Sequence, residues 1–151
     1  MALLLIVGCA TQQQRAEKRD QMRVALAMAL ANKQLRIEIE SMSTLRYGSK
    51  TVTPDFFLAL RGDTLCSYLP YLGQSRQSSM MYPQTGLNFE KPVTNYSERR
   101  PKANLTRIEL DAKTDEDTYH YVIELYDTGE AHIHVRSLHR DPISFDGTVE
   151  L

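Results

Sequence analysis

Pro54-Asp55-Phe56-Phe57-Leu58-Ala59-Leu60-Arg61-Gly62-Asp63-Thr64-Leu65-Cys66-Ser67-Tyr68-Leu69-Pro70-Tyr71-Leu72-Gly73 reads as two short strands around a Gly-Asp turn, bracketed by prolines. A two-residue loop with glycine first suits a type II′ turn, whose twist matches that of the flanking strands. This register sets Leu60 opposite Leu65, Leu58 opposite Ser67 and Phe56 opposite Leu69 on one face. Phe57 opposite Tyr68 and Ala59 opposite Cys66 make up the other. Both faces are apolar, which predicts a central hairpin covered on both sides.

Working outward, the chain before the hairpin changes period once. Arg15–Asn32 has no glycine or proline, and Met22, Ala25, Leu26, Ala29 and Leu30 form an apolar stripe at helical spacing, widened by Val24 and Met28. The spacing predicts a helix packed on its own sheet. Leu35, Ile37 and Ile39 then alternate with Arg36, Glu38 and Glu40, the pattern of a half-buried strand. Tyr47-Gly48-Ser49-Lys50 interrupts before the hairpin. After it, Gln74–Gly86 is patternless apart from Met80-Met81-Tyr82. A loop of this length in a compact domain tends to be functional or disordered.

From Leu87 on, strand follows strand: short candidates at Leu87–Phe89 and Val93–Tyr96, then Asn104–Ala112, a hairpin of Thr118–Tyr126 with Glu130–Ser137, and Ile143–Leu151. One helix followed by an antiparallel meander predicts an α+β fold, with the N-terminal helix packed on a strongly bent sheet or partial barrel. At 151 residues the chain is long enough for one domain with a real core. Charge is nearly balanced, 18 Lys+Arg against 19 Asp+Glu, which removes the electrostatic case for nucleic acid.

The N-terminus has a different character. Ala2-Leu3-Leu4-Leu5-Ile6-Val7-Gly8-Cys9 is an apolar run ending in a small residue and a cysteine. It resembles the lipobox of bacterial lipoproteins, in which cleavage before the cysteine frees a residue that is then lipidated; Cys9 is the matching position. A basic n-region is missing and the apolar run is short, as a start codon placed too far downstream would make it. The expected organisation is a signal remnant at 1–9, a polar tether at 10–14 and one globular domain at 15–151. The resemblance implies a bacterial cell-envelope location, on the periplasmic or outer-membrane side, with the membrane as a partner through the lipid.

A second resemblance rests on Gly62-Asp63-Thr64, Ser67–Gly73, Gly86-Leu87-Asn88-Phe89 and Ile143-Ser144-Phe145-Asp146-Gly147. In this order they resemble the landmarks of domain of unknown function 4251, a family of small secreted or lipid-anchored bacterial proteins without assigned activity. The likeness runs from about Leu35 to Leu151. It reinforces the envelope address and implies no catalytic residues.

Few residues form a chemical constellation. Asp127-Thr128-Gly129 is the triplet of aspartic proteases, but the chemistry needs a second aspartate loop. A three-residue hairpin loop with Gly129 in the left-handed region explains the same letters. That loop places Glu124 beside His132, Val122 beside His134 and His120 beside Arg136 on one face. Glu124, His132 and His134 are then within reach of one metal ion, although the set is incomplete and Arg136 opposes a cation. Cys66, mid-strand, is expected to be a buried small hydrophobe. With no phosphate loop, nucleotide fingerprint or Ser/His/Asp order, no cofactor is expected. The resulting expectation is a non-catalytic envelope binding module for a small apolar ligand or envelope protein. Tyr68, Tyr71, Met80, Met81 and Tyr82 would line its site under the Gly73–Gly86 loop. The alternative is a hydrolase or metal-dependent enzyme using Glu124, His132, His134 or Asp127.

Overall fold

The computed structural model of the chain describes residues 7–72 and 86–151, with the side chains of the helix from Gln12 on. A helix, α1 (Val7–Ala31), precedes nine strands: β1 (Gln34–Thr44), β2 (Gly48–Thr51), β3 (Phe57–Arg61), β4 (Thr64–Leu69), β5 (Leu87–Lys102), β6 (Leu105–Lys113), β7 (Thr118–Tyr126), β8 (Glu130–Ser137) and β9 (Ile143–Glu150).

The opening hairpin has the expected register, with Phe57 facing Tyr68, Leu58 facing Ser67, Ala59 facing Cys66 and Leu60 facing Leu65. Gly62 has φ +61°, and Asp63 is not among the residues with positive φ, which is the type II′ pattern. The Gly62 amide also donates to the Lys33 carbonyl at 2.8 Å, fastening the turn to the end of α1. Gly62→Val, which forces a β-branched residue into the left-handed region, should cost more than ~1 kcal/mol. Urea denaturation checks this through a lower midpoint at unchanged slope.

The expected bent sheet or partial barrel goes further and closes. Strand order is β2-β1-β3-β4-β5-β6-β7-β8-β9, and β9 pairs back onto β1 from Arg36↔Glu150 to Thr44↔Ile143. All strands but the short β2 therefore form a closed antiparallel ring, and the fold is mostly β. Closure removes the unpaired edges an open sheet would expose. Local pattern carries no trace of a pairing between the first and last strands of the ring. β5 differs as well: where Pro92 separates two short candidates, one strand runs from Leu87 to Lys102, bent by register shifts between Thr94 and Ser97 and between Arg99 and Lys102. After Tyr47, Gly48–Thr51 folds back on β1 as β2.

The interior is filled by inward-facing side chains from every strand of the ring, with Tyr121, Phe145, Ile37, Leu58, Leu65, Leu110 and Ile133 among those fully buried. An eight-stranded barrel is just wide enough for such filling. One polar chain crosses this interior. Ser67 Oγ donates to the Leu87 carbonyl at 2.7 Å, which leaves Tyr121 OH to donate to Ser67 Oγ at 3.1 Å. Burial pushes the Tyr121 phenol far up, so it stays a neutral donor.

α1 covers one end of the ring. Leu26 and Leu30 join the core, and the space beside them is lined by Glu98, Arg100, Thr106 and Asp127. Val24 and Met28, expected to widen the buried stripe, are exposed. The helix starts earlier than the Arg15 of the sequence pattern and includes 10–14, a stretch of Ala, Thr and Gln with no breaker, and Gln12–Gln21 is exposed throughout. At the opposite end Arg140 holds three connections together, donating to the Gly86 carbonyl and to Glu116 at 3.1 Å each while lying over the Tyr71 and Tyr119 rings.

Candidate functional site

In a closed ring the hairpin has one buried face, and the prediction that both faces are covered fails for this reason. Leu58, Leu60, Leu65, Ser67 and Leu69 point inward. The other face looks outward, with Ala25, Met28 and Ala29 of α1 beside its Arg36–Ala59 end. Its rows follow from the registers: Glu38–Phe57–Tyr68–Asn88 and, one row along, Arg36–Ala59–Cys66–Glu90.

The middle of this wall is concave because small side chains sit between large ones. Ala59 and Cys66 are only 2% and 4% exposed although they face outward. Phe57 and Tyr68 rise beside them, with ring centroids 6.0 Å apart, and Phe56 stacks on Tyr68 at 5.4 Å. Tyr68 remains 42% exposed. A groove of about 430 Å³ runs over Cys66, lined also by Asp55, Phe57, Tyr68, Asn88 and Glu90. Burial, and then the Glu90 carboxylate, push the Cys66 thiol up, so it contributes contact area rather than a nucleophile. The groove offers aromatic surface, an amide and two carboxylates.

Of the five residues expected to line a ligand site, Tyr68 lies on this wall. Tyr71 lies elsewhere: it packs on the far end of the core, where its hydroxyl donates to the Asp141 carbonyl at 3.2 Å and Arg140 covers its ring. Met80, Met81 and Tyr82 lie outside the described residues, as does the side chain of Cys9.

The histidine wall has the predicted β7–β8 register, with Glu124 facing His132, Val122 facing His134 and His120 facing Arg136. The side chains, however, turn to the strands on either side. Glu124 pairs with Arg107 of β6 at 3.5 Å, and His132 Nδ1 meets Asp146 of β9. His134 Nδ1 lies 2.8 Å from Ser144 Oγ, and His120 Nδ1 lies 2.6 Å from Asp111. A hairpin read alone shows each side chain only one of its two neighbours. Burial holds His134 below its usual pKa, helped by Arg136 and His120. Burial works to raise Asp111, but hydrogen bonds from Asn95 and His120 outweigh it and keep the carboxyl low. Among the described residues no three His, Cys, Asp or Glu side chains gather as a metal site. Asp127 stands in the β7–β8 turn, 3.7 Å from Arg100, and Gly129 there has φ +90° as the hairpin reading requires.

Phe57, Asn88, Glu90 and Asp55 escape the sequence reading. The alternation Leu87, Phe89, Lys91, Val93 is the signal that β5 continues through Pro92, and with it that Asn88 and Glu90 face outward beside Tyr68.

Comparison with known proteins gives three findings. The family model described as Domain of unknown function (DUF4251) matches residues 17–149. A crystal structure of a DUF4251 family protein from Bacteroides eggerthii is similar at a TM-score of 0.64 and 14% identity, covering 89% of this chain and 87% of that one. At that identity the likeness concerns the fold. No curated protein matches the chain.

Proposed function

The chain belongs to the DUF4251 family, and on that premise we propose that it is a non-catalytic binding module of the bacterial cell envelope, anchored by lipid at Cys9 and taking its ligand on the outer wall of β3, β4 and β5. The observation that carries the binding reading is the exposed Tyr68 ring, stacked on Phe56 and set beside Phe57 at the groove over Cys66. Aromatic side chains supply large, stiff contact area at low entropic cost, and concave apolar surface with a few polar groups is the usual form of a ligand site. The interior positions are occupied by side chains, which makes the outer wall the surface available for contact. The alternative of a hydrolase or metal-dependent enzyme draws no support from Glu124, His132, His134 and Asp127, whose partners are Arg107, Asp146, Ser144 and Arg100.

The binding half is tested by melting temperature. A ligand that binds only the native state raises it by mass action. An envelope extract, fractionated, should contain a fraction that raises the wild-type melting temperature by several degrees and leaves Tyr68→Ser unchanged. Equal rises in both proteins, or none with any fraction, would overturn the reading.

The anchor rests on the apolar run ending Val7-Gly8-Cys9. Each buried methylene of an acyl chain contributes ~0.8 kcal/mol, so several chains would hold the protein firmly. With a complete signal supplied, cells fed labelled palmitate should label the wild type, and Cys9→Ser should carry no label. Equal labelling of the two would contradict the anchor.

A further inference from the structure

The outer wall sets carboxylates near an aromatic ring in two places, and one of them holds a cation. In that one the Arg36 guanidinium lies 3.9 Å from the Phe57 ring centroid and is held by two carboxylates, Glu38 at 2.7 Å and Glu150 at 3.1 Å. A cation over an aromatic face with acidic neighbours gains from the ring quadrupole and from charge-assisted hydrogen bonds together. The second place is the groove itself. There the exposed Tyr68 ring shares a lining with Glu90 and Asp55. Neither carboxylate is in an ion pair with any described residue, and the lining includes no Lys or Arg.

Two further observations concern the edge of the groove. Asp55, at the rim, has φ +95°, a region that Asp enters more readily than most L residues. Asn88, cross-strand from Tyr68, adds an amide at the same edge.

We propose that the groove binds a small organic cation, one with a guanidinium or ammonium head, at Tyr68, Glu90 and Asp55, as Phe57, Glu38 and Glu150 hold Arg36 beside it. This rests on the outer-wall binding reading and supplies its ligand class. The two carboxylates balance the charge, the Tyr68 ring takes the flat or alkylated face, and the Asn88 carbonyl accepts a remaining N–H. The groove, of about 430 Å³, has room for such a head and a short chain.

The probe is agmatine, with butylurea as its neutral counterpart of similar shape. Both are titrated into the full chain while its amide signals are followed by ¹H–¹⁵N NMR. Agmatine should shift the Tyr68, Asn88 and Glu90 amides saturably, and butylurea should bind at least about ten-fold more weakly, since it lacks the charge. Added salt should weaken agmatine, because the groove is open to solvent. Glu90→Gln and Tyr68→Leu, both surface changes whose spectra report that the fold is kept, should each weaken agmatine about five-fold or more. Equal binding of the two probes, or agmatine shifts that persist in both variants, would overturn the cation assignment. So would no shift with agmatine when an envelope fraction moves the same amides, a result that leaves outer-wall binding standing. Silence from agmatine and every envelope fraction would overturn both.

Discussion

Gly147→Ala should destabilise the barrel by about 3 kcal/mol or more, the cost of overpacking against atoms that cannot move aside. Gly147 lies in β9 facing Ile39 of β1, at the pairing that closes the ring. A Cβ at this position would run into the Glu38 carbonyl oxygen and press on the Ile37 side chain. The obstructing atom is backbone, fixed on one side by β9 and on the other by β3. Relief requires β1 and β9 to separate, which breaks ladder hydrogen bonds and exposes Ile37, Phe145 and Val149 near the seam. The neighbouring Thr148, exposed and bonded to Glu40 at 2.7 Å, offers the contrast. Thr148→Ala should cost under ~1 kcal/mol. Urea denaturation followed by circular dichroism measures both. A Gly147→Ala midpoint equal to wild type would mean that the seam is more open than described.

Tyr121→Ala should cost about 3–5 kcal/mol, the range for deleting a large buried aromatic side chain. Tyr121 is fully buried in the barrel, edge-on to Phe89 at 6.5 Å, and its hydroxyl ends the chain through Ser67 to the Leu87 carbonyl. Since a domain of this kind has only ~5–15 kcal/mol of stability in all, this variant should lose much of its native population at 37 °C. Tyr121→Phe separates packing from hydrogen bonding. It keeps the ring and leaves Ser67 still bonded to Leu87, so about 1 kcal/mol is expected. Similar losses for the two variants would show that the hydroxyl, rather than the ring, carries the stability.

The parts of this fold that turn chemistry controls are legible in the sequence. Gly62 sets the β3–β4 register and Gly129 the β7–β8 register, and both are read correctly because a tight turn leaves few alternatives, although the expected Phe56–Leu69 pair does not form and Phe56 stacks on Tyr68 instead. Closure is not legible. Ile39 and Gly147 meet across more than a hundred residues, and alternation alone cannot say which edges find each other. The same limit governs the sites. Tyr68 is readable as an aromatic on a hairpin, yet its partners Asn88 and Glu90 come from β5, whose prolines disguise its length. Glu124, His132 and His134 form a plausible metal set only while Arg107 of β6 and Ser144 and Asp146 of β9 are out of view.

On the proposed function, ligand binds on the outside of a filled, closed barrel, on the β3–β4–β5 wall. The most direct test is an amide chemical-shift map of the full chain with the envelope fraction that raises its melting temperature. Shifts centred on Phe57, Cys66, Tyr68, Asn88 and Glu90 are expected, with Tyr121 and Phe145 inside and His132 and His134 on the opposite wall unmoved. Shifts centred on the interior or on the histidine wall would contradict the proposed function.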